Sequence, residues 1–397
     1  MFGENSGRAR SVTARESIVL TLQVFLINRV ILTAISLLTS NLFYDVPGRD
    51  HGLFGIWHRW DVLWYIQVAD HGYTWSPPPI QSNLAFFPLF PLTMHVLTLI
   101  TPFSAYAAGL VIVDLSFPAT LYFFHRLVLR DFDADVADRA VYYLGLFPTA
   151  LFFYASYSEA LYMLCCVGCV YALRLRRWWV AGLCGMGASL TRQLGLLLVV
   201  PFAMEALAWW RSQPRDGLNR YKPWLAFALV PGGIVVFMVY LQARFGDPFL
   251  FLRAQAAWKR GLSFPWDGAA LDISRLAHIP GHFSAHTRGA LEAIATLDLA
   301  FLVLFLVLIG LGARRLPSAY TLYGAIVMLA ILMSPATGQG QPLPLLSISR
   351  FDLTIFPPFI VLGLLGRSPM MDRLIQAASV SLLVLFTILF VRGRWIA

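Results

Sequence analysis

The chain has 397 residues, of which 58% are hydrophobic and only 13% are charged. Soluble globular proteins carry roughly 25% charged residues, so this composition excludes an ordinary soluble domain and indicates a protein embedded in a lipid bilayer. The net charge of +9 does not point to nucleic acid, because the basic residues lie mainly at the ends of apolar segments, where they orient membrane helices.

Long apolar segments predict about eleven membrane-spanning helices. Their expected bounds are 17–38, 103–124, 140–155, 158–173, 178–190, 194–210, 223–241, 291–312, 319–335, 351–366 and 374–391. We therefore expect an all-α polytopic membrane protein that forms a single transmembrane domain over residues 1–397. The segment 86–100 (FFPLFPLTMHVLTLI) is apolar but short and contains two prolines, so it either spans the membrane or lies at its interface.

The distribution of arginines decides the topology. If 86–100 does not span, the basic clusters at the N-terminus, 126–139, 174–177, 211–222, 314–315, Arg367 and Arg373 all face the cytoplasm, as the positive-inside rule requires. If it did span, every later cluster would move outside. We therefore predict that 86–100 is an external interfacial or re-entrant segment, and that structured external loops lie at 39–102 and 242–290.

The first external loop contains the stretch 57–73 (WHRWDVLWYIQVADHGY), which combines carboxylates with many aromatic rings. Its pattern predicts a helix over 57–69 on which Trp57, Trp60 and Trp64 share a face. Tryptophan prefers the level of the lipid headgroups. The helix is therefore expected to lie on the external membrane surface.

Asp61 has two interpretations on this helix. It is either part of an interfacial anchor, where it is solvated or paired with Arg59 or Arg29, or a general base close to a lipid-borne substrate. Aromatic rings that screen a carboxylate from water raise its proton affinity, which suits a base. The pattern of residues alone leaves both interpretations open.

Several ordered motifs resemble the GPI mannosyltransferase 2 (PIG-V) family and its bacterial relatives. They are RWD (59–61), HGY (71–73), AFFPLFP (85–91), FPTALFFYASYSEALY (147–162), ASLTRQLGLLLVVPF (188–202), GDPFLFLRAQAAWKRGLSFPW (246–266) and SISRFDLTIFPPF (347–359). The resemblance implies a GT-C-type fold and an inverting transfer of mannose from polyprenyl-phosphate mannose to a lipid-linked or glycolipid acceptor. It also implies an active site on the non-cytoplasmic face, here of a bacterial plasma membrane, and no obligatory metal.

The resemblance makes Asp61 the expected catalytic carboxylate. Members of the family often carry a second acidic residue before the Phe-Phe-Pro motif, but the interval 74–85 (TWSPPPIQSNLA) has none. Either Asp70 supplies a second carboxylate, or the reaction needs none. His71 and Tyr73 belong to the HGY motif and are expected near the donor sugar.

Further site residues are expected at the external ends of later spans. Tyr157, Ser158 and Glu159 either contact sugar hydroxyls or form a helix N-terminus, with Ser158 as the cap and Glu159 favoured by the helix dipole. Arg192 and Arg350 either bind the donor phosphate or extend toward the lipid headgroups.

A metal site is not expected. His278, His282 and His286 have helical spacing, but a proline and a glycine interrupt them.

A second function belongs to a different class, a lipid or glycolipid transporter or flippase. It is favoured by Arg29 and Asp114, two charges inside predicted spans, which are expensive in lipid unless they pair with each other. It is disfavoured by the lack of an inverted repeat.

Overall fold

The computed structural model describes residues 12–396 except 44, 49, 51, 214–217, 278–284 and 337–342, and leaves aside the side chains of 218, 275–277 and 285–291. The described residues are almost entirely helical. Their only β-structure is an isolated bridge between Arg260 and Ala336. The predicted all-α polytopic class is confirmed.

The described part of the chain forms eighteen α-helices. They are α1 (Ala14–Leu42), α2 (Gly52–Trp57), α3 (Asp61–His71), α4 (Leu89–Ile100), α5 (Ala105–Val128), α6 (Ala134–Gly145), α7 (Glu159–Arg174), α8 (Trp178–Thr191), α9 (Val199–Ser212), α10 (Lys222–Phe227), α11 (Leu229–Phe245), α12 (Leu250–Ala257), α13 (Asp267–Ala277), α14 (Ala285–Gly312), α15 (Ser318–Leu332), α16 (Ile348–Asp352), α17 (Pro357–Leu365) and α18 (Pro369–Val391). Short 3-10 helices precede α4, α7, α9 and α10.

Six helical segments of the described residues are long and apolar enough to cross a membrane. They are Ala14–Leu42, Ala105–Val128, Gln193–Ser212, Asn219–Phe245, Glu292–Gly312 and Pro369–Val391. Of the other predicted spans, 158–173, 178–190 and 319–335 correspond to the shorter helices α7, α8 and α15. The predicted bounds 140–155 and 351–366 are wrong, because α6 already ends at Gly145 and α17 begins only at Pro357. The chain is therefore an integral membrane protein, whereas the count of eleven spans stays a prediction.

The ambiguous segment 86–100 forms the short helix α4. Its 12 residues rise by about 18 Å, which is less than the roughly 30 Å of a hydrocarbon core. It packs against α3 and α5. The helix is shorter than a full span, and its external position stays a prediction from the arginine distribution.

The prediction of one continuous helix over 57–69 is wrong. Trp57 ends α2, and Trp60 has a φ of +53°, a left-handed conformation that no α-helix can continue through. Trp57 is also buried instead of interfacial, because its ring packs on Tyr154 and Phe390 and its Nε1 donates to Ser36 Oγ at 3.2 Å. The break makes Asp61 the first residue of a new helix, α3, which runs to His71 and has Gly72 as its C-cap.

The charges inside the first two predicted spans pair with each other. Arg29 Nη2 lies 2.6 Å from Asp114 Oδ1, and the guanidinium also contacts the rings of Phe25 and Phe117. The pairing that charges inside a membrane span require is thus present, and it links α1 to α5.

The centre of the bundle is a row of helices in close contact. Helix α7 packs against α5 and α8, and α8 packs against α11. Helix α7 therefore begins in the middle of the protein, and its first residue, Glu159, is fully buried. At the other end of α7, Arg174 pairs with Asp131 and Glu205, so the two ends of this central helix carry separate ionic clusters.

A candidate active site at one end of the helix bundle

A cavity of about 630 Å³ opens at the end of the bundle where α7 begins. Its wall is built from α3, the turn after α8, the end of α12 and the region of α16, so it joins segments far apart in the sequence. The lining residues are Trp60, Asp61, Trp64, Tyr65, Gln81, Ala85, Phe86, Phe87, Thr191, Arg192, Gln193, Leu194, Gln255, Ala257, Trp258, Lys259, Arg260, Ala330, Ile331, Ser334, Leu346, Ser347, Arg350, Phe351 and Trp395.

Asp61 is the only carboxylate among the described residues that line this cavity. It occupies the first turn of α3, where the helix dipole favours a negative charge. Its Oδ2 lies 2.6 Å from Nη1 of Arg350, and its side chain is 18% exposed. The partner is therefore neither Arg59 nor Arg29, the two cations expected in the anchor interpretation.

A chain of alternating charges runs from Asp61 into the protein. Arg350 bridges Asp61 and Glu159, because its Nε donates to Glu159 Oε1 while its Nη1 contacts Asp61. Arg192 Nη1 approaches the same Glu159 oxygen at 2.7 Å. The side chain of Glu159 is 0% exposed and that of Arg350 is 5% exposed, so contacts between these ions replace almost all of their hydration. Each member is needed to offset the burial of the next.

Aromatic rings hold the middle of this chain in place. The guanidinium carbon of Arg350 lies 4.8 Å from the ring centroid of Phe152, 4.7 Å from that of Tyr157 and 5.9 Å from that of Trp395. Such cation–π contacts are strongest where water is excluded. Arg350 is therefore fixed by two carboxylates and three rings, and its freedom to follow a ligand is small.

Tyr65 connects α3 to the start of α7. Its hydroxyl donates to Ser158 Oγ at 2.7 Å, and burial raises the pKa of Tyr65, so the phenol stays protonated. The expected capping role of Ser158 is wrong, because its side chain makes no cap hydrogen bond to α7. Glu159 does lie in the first turn of α7, as predicted.

A second group of cations was missed in the sequence. Arg260 and Lys259 line the cavity just after α12, inside the motif 246–266. Arg260 donates from Nη1 to the Ser334 carbonyl and from Nη2 to the Leu346 carbonyl, both at 2.9 Å. The signal in the sequence was the Lys-Arg pair beside Trp258, but nothing in that stretch indicates which side the pair faces.

An aromatic wall faces the same space. Trp64 stacks on Phe86 with ring centroids 5.9 Å apart, and Trp258 meets both rings edge-on at 5.6 Å. Trp64 therefore forms part of a wall of the cavity, where the sequence predicted a surface anchor.

The motif residues at and after the end of α3 lie outside the cavity. Asp70 and His71 are exposed at the end of α3, and the Tyr73 hydroxyl donates to the Phe86 carbonyl at 2.6 Å. None of the three lines the cavity, so their expected contacts with the donor stay predictions that this structure does not support.

No cluster of metal ligands is present among the described residues. His278 and His282 lie outside the described residues, and of His286 only the helical backbone is described.

Comparison with known proteins agrees with the motifs in the first half of the chain. The family model of mannosyltransferases (PIG-V) matches residues 11–208. GPI alpha-1,6-mannosyltransferase 2 of Cricetulus griseus is 30% identical over 158 residues, which are 37% of this chain and 31% of that protein. The same protein of Mus musculus is 28% identical over 160 residues, again 37% of this chain and 31% of the relative. The chain thus matches about a third of the length of these curated relatives.

Among solved structures, the oligosaccharyltransferase of Archaeoglobus fulgidus is similar with a TM-score of 0.47 and 14% sequence identity, over 94% of this chain and 52% of that one. The matched family region includes Asp61, Glu159 and Arg192 and ends before Arg260 and Arg350.

Proposed function

We propose that this protein is an integral-membrane mannosyltransferase that transfers mannose from polyprenyl-phosphate mannose to a hydroxyl of a lipid-linked or glycolipid acceptor. The similarity to mannosyltransferases over residues 11–208 supports this function. The observation that carries it is the position of Asp61, a carboxylate within that region, in a cavity whose other charged lining residues are all basic. One base and several cations suit a reaction in which an alcohol loses a proton and a phosphate leaves.

In the proposed reaction, Asp61 accepts the proton of the acceptor hydroxyl. The hydroxyl oxygen forms a bond to the anomeric carbon of mannose from the side opposite the phosphate. The bond between the anomeric carbon and the phosphate oxygen breaks, and that oxygen keeps the electron pair. A β-linked donor then gives an α-mannoside and polyprenyl phosphate.

We assign Arg350 to positioning Asp61. Its guanidinium already contacts two carboxylates, Asp61 and Glu159, so little of its charge is left for a phosphate. The planar fork of arginine can hold a carboxylate in one orientation better than a lysine can. Direct contact of Arg350 with the donor phosphate stays a prediction from the sequence.

We propose a GT-C-type architecture with the cavity on the non-cytoplasmic face of a bacterial plasma membrane. The predicted topology supports this side, because Asp61, Arg192, Arg260 and Arg350 all belong to segments that the arginine distribution assigns to the outside. A lipid carrier and a glycolipid acceptor can both reach such a cavity from the bilayer.

The transporter function loses the feature that favoured it. Arg29 and Asp114 form a direct ion pair, which accounts for both charges without a translocation pathway.

The test is a transfer assay with purified protein in liposomes that contain a total lipid extract as acceptor. Labelled mannose is supplied either on polyprenyl phosphate or on GDP. We expect labelled glycolipid with the polyprenyl donor only. Label from GDP-mannose alone, or lipid translocation without any transfer, would contradict the proposal.

A further inference from the structure

Among the described residues, no carboxylate forms a direct ion pair with Arg260. Arg192 and Arg350 each contact a carboxylate oxygen, whereas among the described residues Arg260 makes its side-chain hydrogen bonds only to the carbonyls of Ser334 and Leu346. These two bonds fix the guanidinium and use one N–H of each terminal nitrogen. Its other N–H groups stay available on a rigid, planar fork.

Other cations concentrate positive potential around Arg260. The guanidinium carbons of Arg192 and Arg260 lie 5.5 Å and 5.1 Å from the centroid of one ring, that of Phe351, and Lys259 lines the same cavity. Burial, together with Arg350 and Arg192, lowers the pKa of Arg260 to about 10, although Asp61 and Asp298 act in the opposite direction. An anion bound beside Arg260 would offset its repulsion from Arg192 and Arg350.

The backbone presents this pair in an unusual conformation. Lys259 has a φ of +59°, in the left-handed region that residues with a side chain rarely adopt. The bridge between Arg260 and Ala336 anchors the next residue. Lys259 and Arg260 are therefore held at the cavity by the fold around them.

We propose that Arg260, assisted by Lys259, binds the phosphate group of a polyprenyl phosphate. This inference rests on the proposed function and places the phosphate of the donor, and of the leaving product, at residues 259–260. A guanidinium can pair with two phosphate oxygens at once, and the carbonyls of Ser334 and Leu346 are the only side-chain hydrogen-bond partners of Arg260 among the described residues.

The segment after Arg260 favours a lipid phosphate over free phosphate. Leu262, Phe264 and Trp266 are 85%, 65% and 64% exposed, and the rings of Phe264 and Trp266 stack with centroids 5.2 Å apart. An isoprenoid chain attached to a phosphate at Arg260 finds apolar side chains directly beside the site.

The experiment measures binding of undecaprenyl phosphate to purified protein in detergent, without any sugar donor or acceptor. Undecaprenol, which lacks the phosphate, and inorganic phosphate are the comparison ligands. We expect the native protein to bind undecaprenyl phosphate well above undecaprenol, and inorganic phosphate only weakly. Arg260→Gln should weaken undecaprenyl phosphate binding roughly ten- to hundredfold, and Lys259→Gln should weaken it less.

Arg253→Gln is the matched control. Arg253 belongs to the same external loop, but it is 67% exposed and pairs with Asp247 at 2.8 Å, so we expect unchanged binding. Arg260→Lys keeps the charge and should recover part of the affinity, which keeps the test valid if Arg260→Gln does not fold.

Equal affinity of the native protein and a folded Arg260→Gln variant for undecaprenyl phosphate would overturn the inference. So would tighter binding of inorganic phosphate than of the lipid. If the native protein binds undecaprenyl phosphate through Arg260 but transfers no mannose, the proposed function fails while this phosphate site stands.

Discussion

The two carboxylates on Arg350 differ in exposure, 18% for Asp61 and 0% for Glu159. Asp61 reaches the cavity, whereas Glu159 lies behind it and contacts two arginines. A reacting group needs access to substrate, and a positioning group needs a fixed environment. The difference in burial therefore separates their roles.

Removing the buried charge should damage the fold more than removing the exposed one. Glu159→Gln leaves Arg192 and Arg350 without their shared partner, and breaking a buried ion pair costs about 3–5 kcal/mol. Asp61→Asn leaves Arg350 paired with Glu159, and we expect it to cost about 1–2 kcal/mol. Thermal unfolding of both variants in detergent measures this order. A Glu159→Gln protein as stable as the native protein would show that the buried charges do not support each other.

The individual site residues could be predicted from the sequence only where a motif marked them. Asp61, Glu159, Arg192 and Arg350 were predicted in this way, but their contacts were not. Asp61 and Arg350 are 289 positions apart, and no local pattern encodes such a distance. Arg260 was missed because its partners are backbone carbonyls in a distant segment.

At the scale of helices, hydropathy predicts position well and local breaks poorly. The predicted span 178–190 corresponds to α8 (Trp178–Thr191) and the predicted 158–173 to α7 (Glu159–Arg174). The spacing of the tryptophans does not reveal the break at Trp60, because the same spacing fits both one continuous helix and two shorter helices. Trp60 has a positive φ, and its ring packs on Phe390 and Trp395, which are more than 300 positions away in the sequence.

Helices α8 and α11 approach closely through small residues, as membrane helices often do. An added Cβ at Gly233 would lie 2.6 Å from the Met186 carbonyl oxygen and 2.2 Å from Ser189 Oγ, whereas a Cβ at Gly232 would meet no atom within 4 Å. We therefore expect Gly233→Ala to destabilise the protein by about 1–3 kcal/mol.

Gly232→Ala is the adjacent control. It should be neutral or stabilising by up to about 1 kcal/mol, because alanine favours a helix over glycine. Thermal unfolding of the two variants decides the point, and equal stability would mean that α8 and α11 are not packed as closely as this contact requires.

At the scale of the whole molecule, the topology assigns the cavity and the cluster around Arg174 to opposite sides of the membrane. Ser212 at the end of α9 and Ser274 in α13 are both exposed and belong to segments predicted to face the cytoplasm and the outside, respectively. We expect Ser212→Cys to react with an impermeant thiol reagent only from the cytoplasmic side, and Ser274→Cys only from the outside.

The native protein is the control for this labelling, because its four cysteines lie within α7 and α8 and are buried or half-buried. Labelling of Ser212→Cys from the outside would mean that α4 spans the membrane. Asp61 would then be assigned to the opposite side of the membrane from Arg192, Arg260 and Arg350, although the four residues line one cavity.

The most direct test of the proposed mechanism is mannose transfer by purified Asp61→Asn protein. Asparagine keeps the shape of the side chain but cannot take up the acceptor proton. Loss of a general base lowers rates on the order of 10²–10⁴-fold. Asp70→Asn, an exposed change outside the cavity, is the matched control and should transfer mannose at the native rate. We predict that Asp61→Asn folds, still binds undecaprenyl phosphate and transfers almost no mannose. Transfer by Asp61→Asn at a rate close to that of the native protein would contradict the assignment of Asp61 as the base.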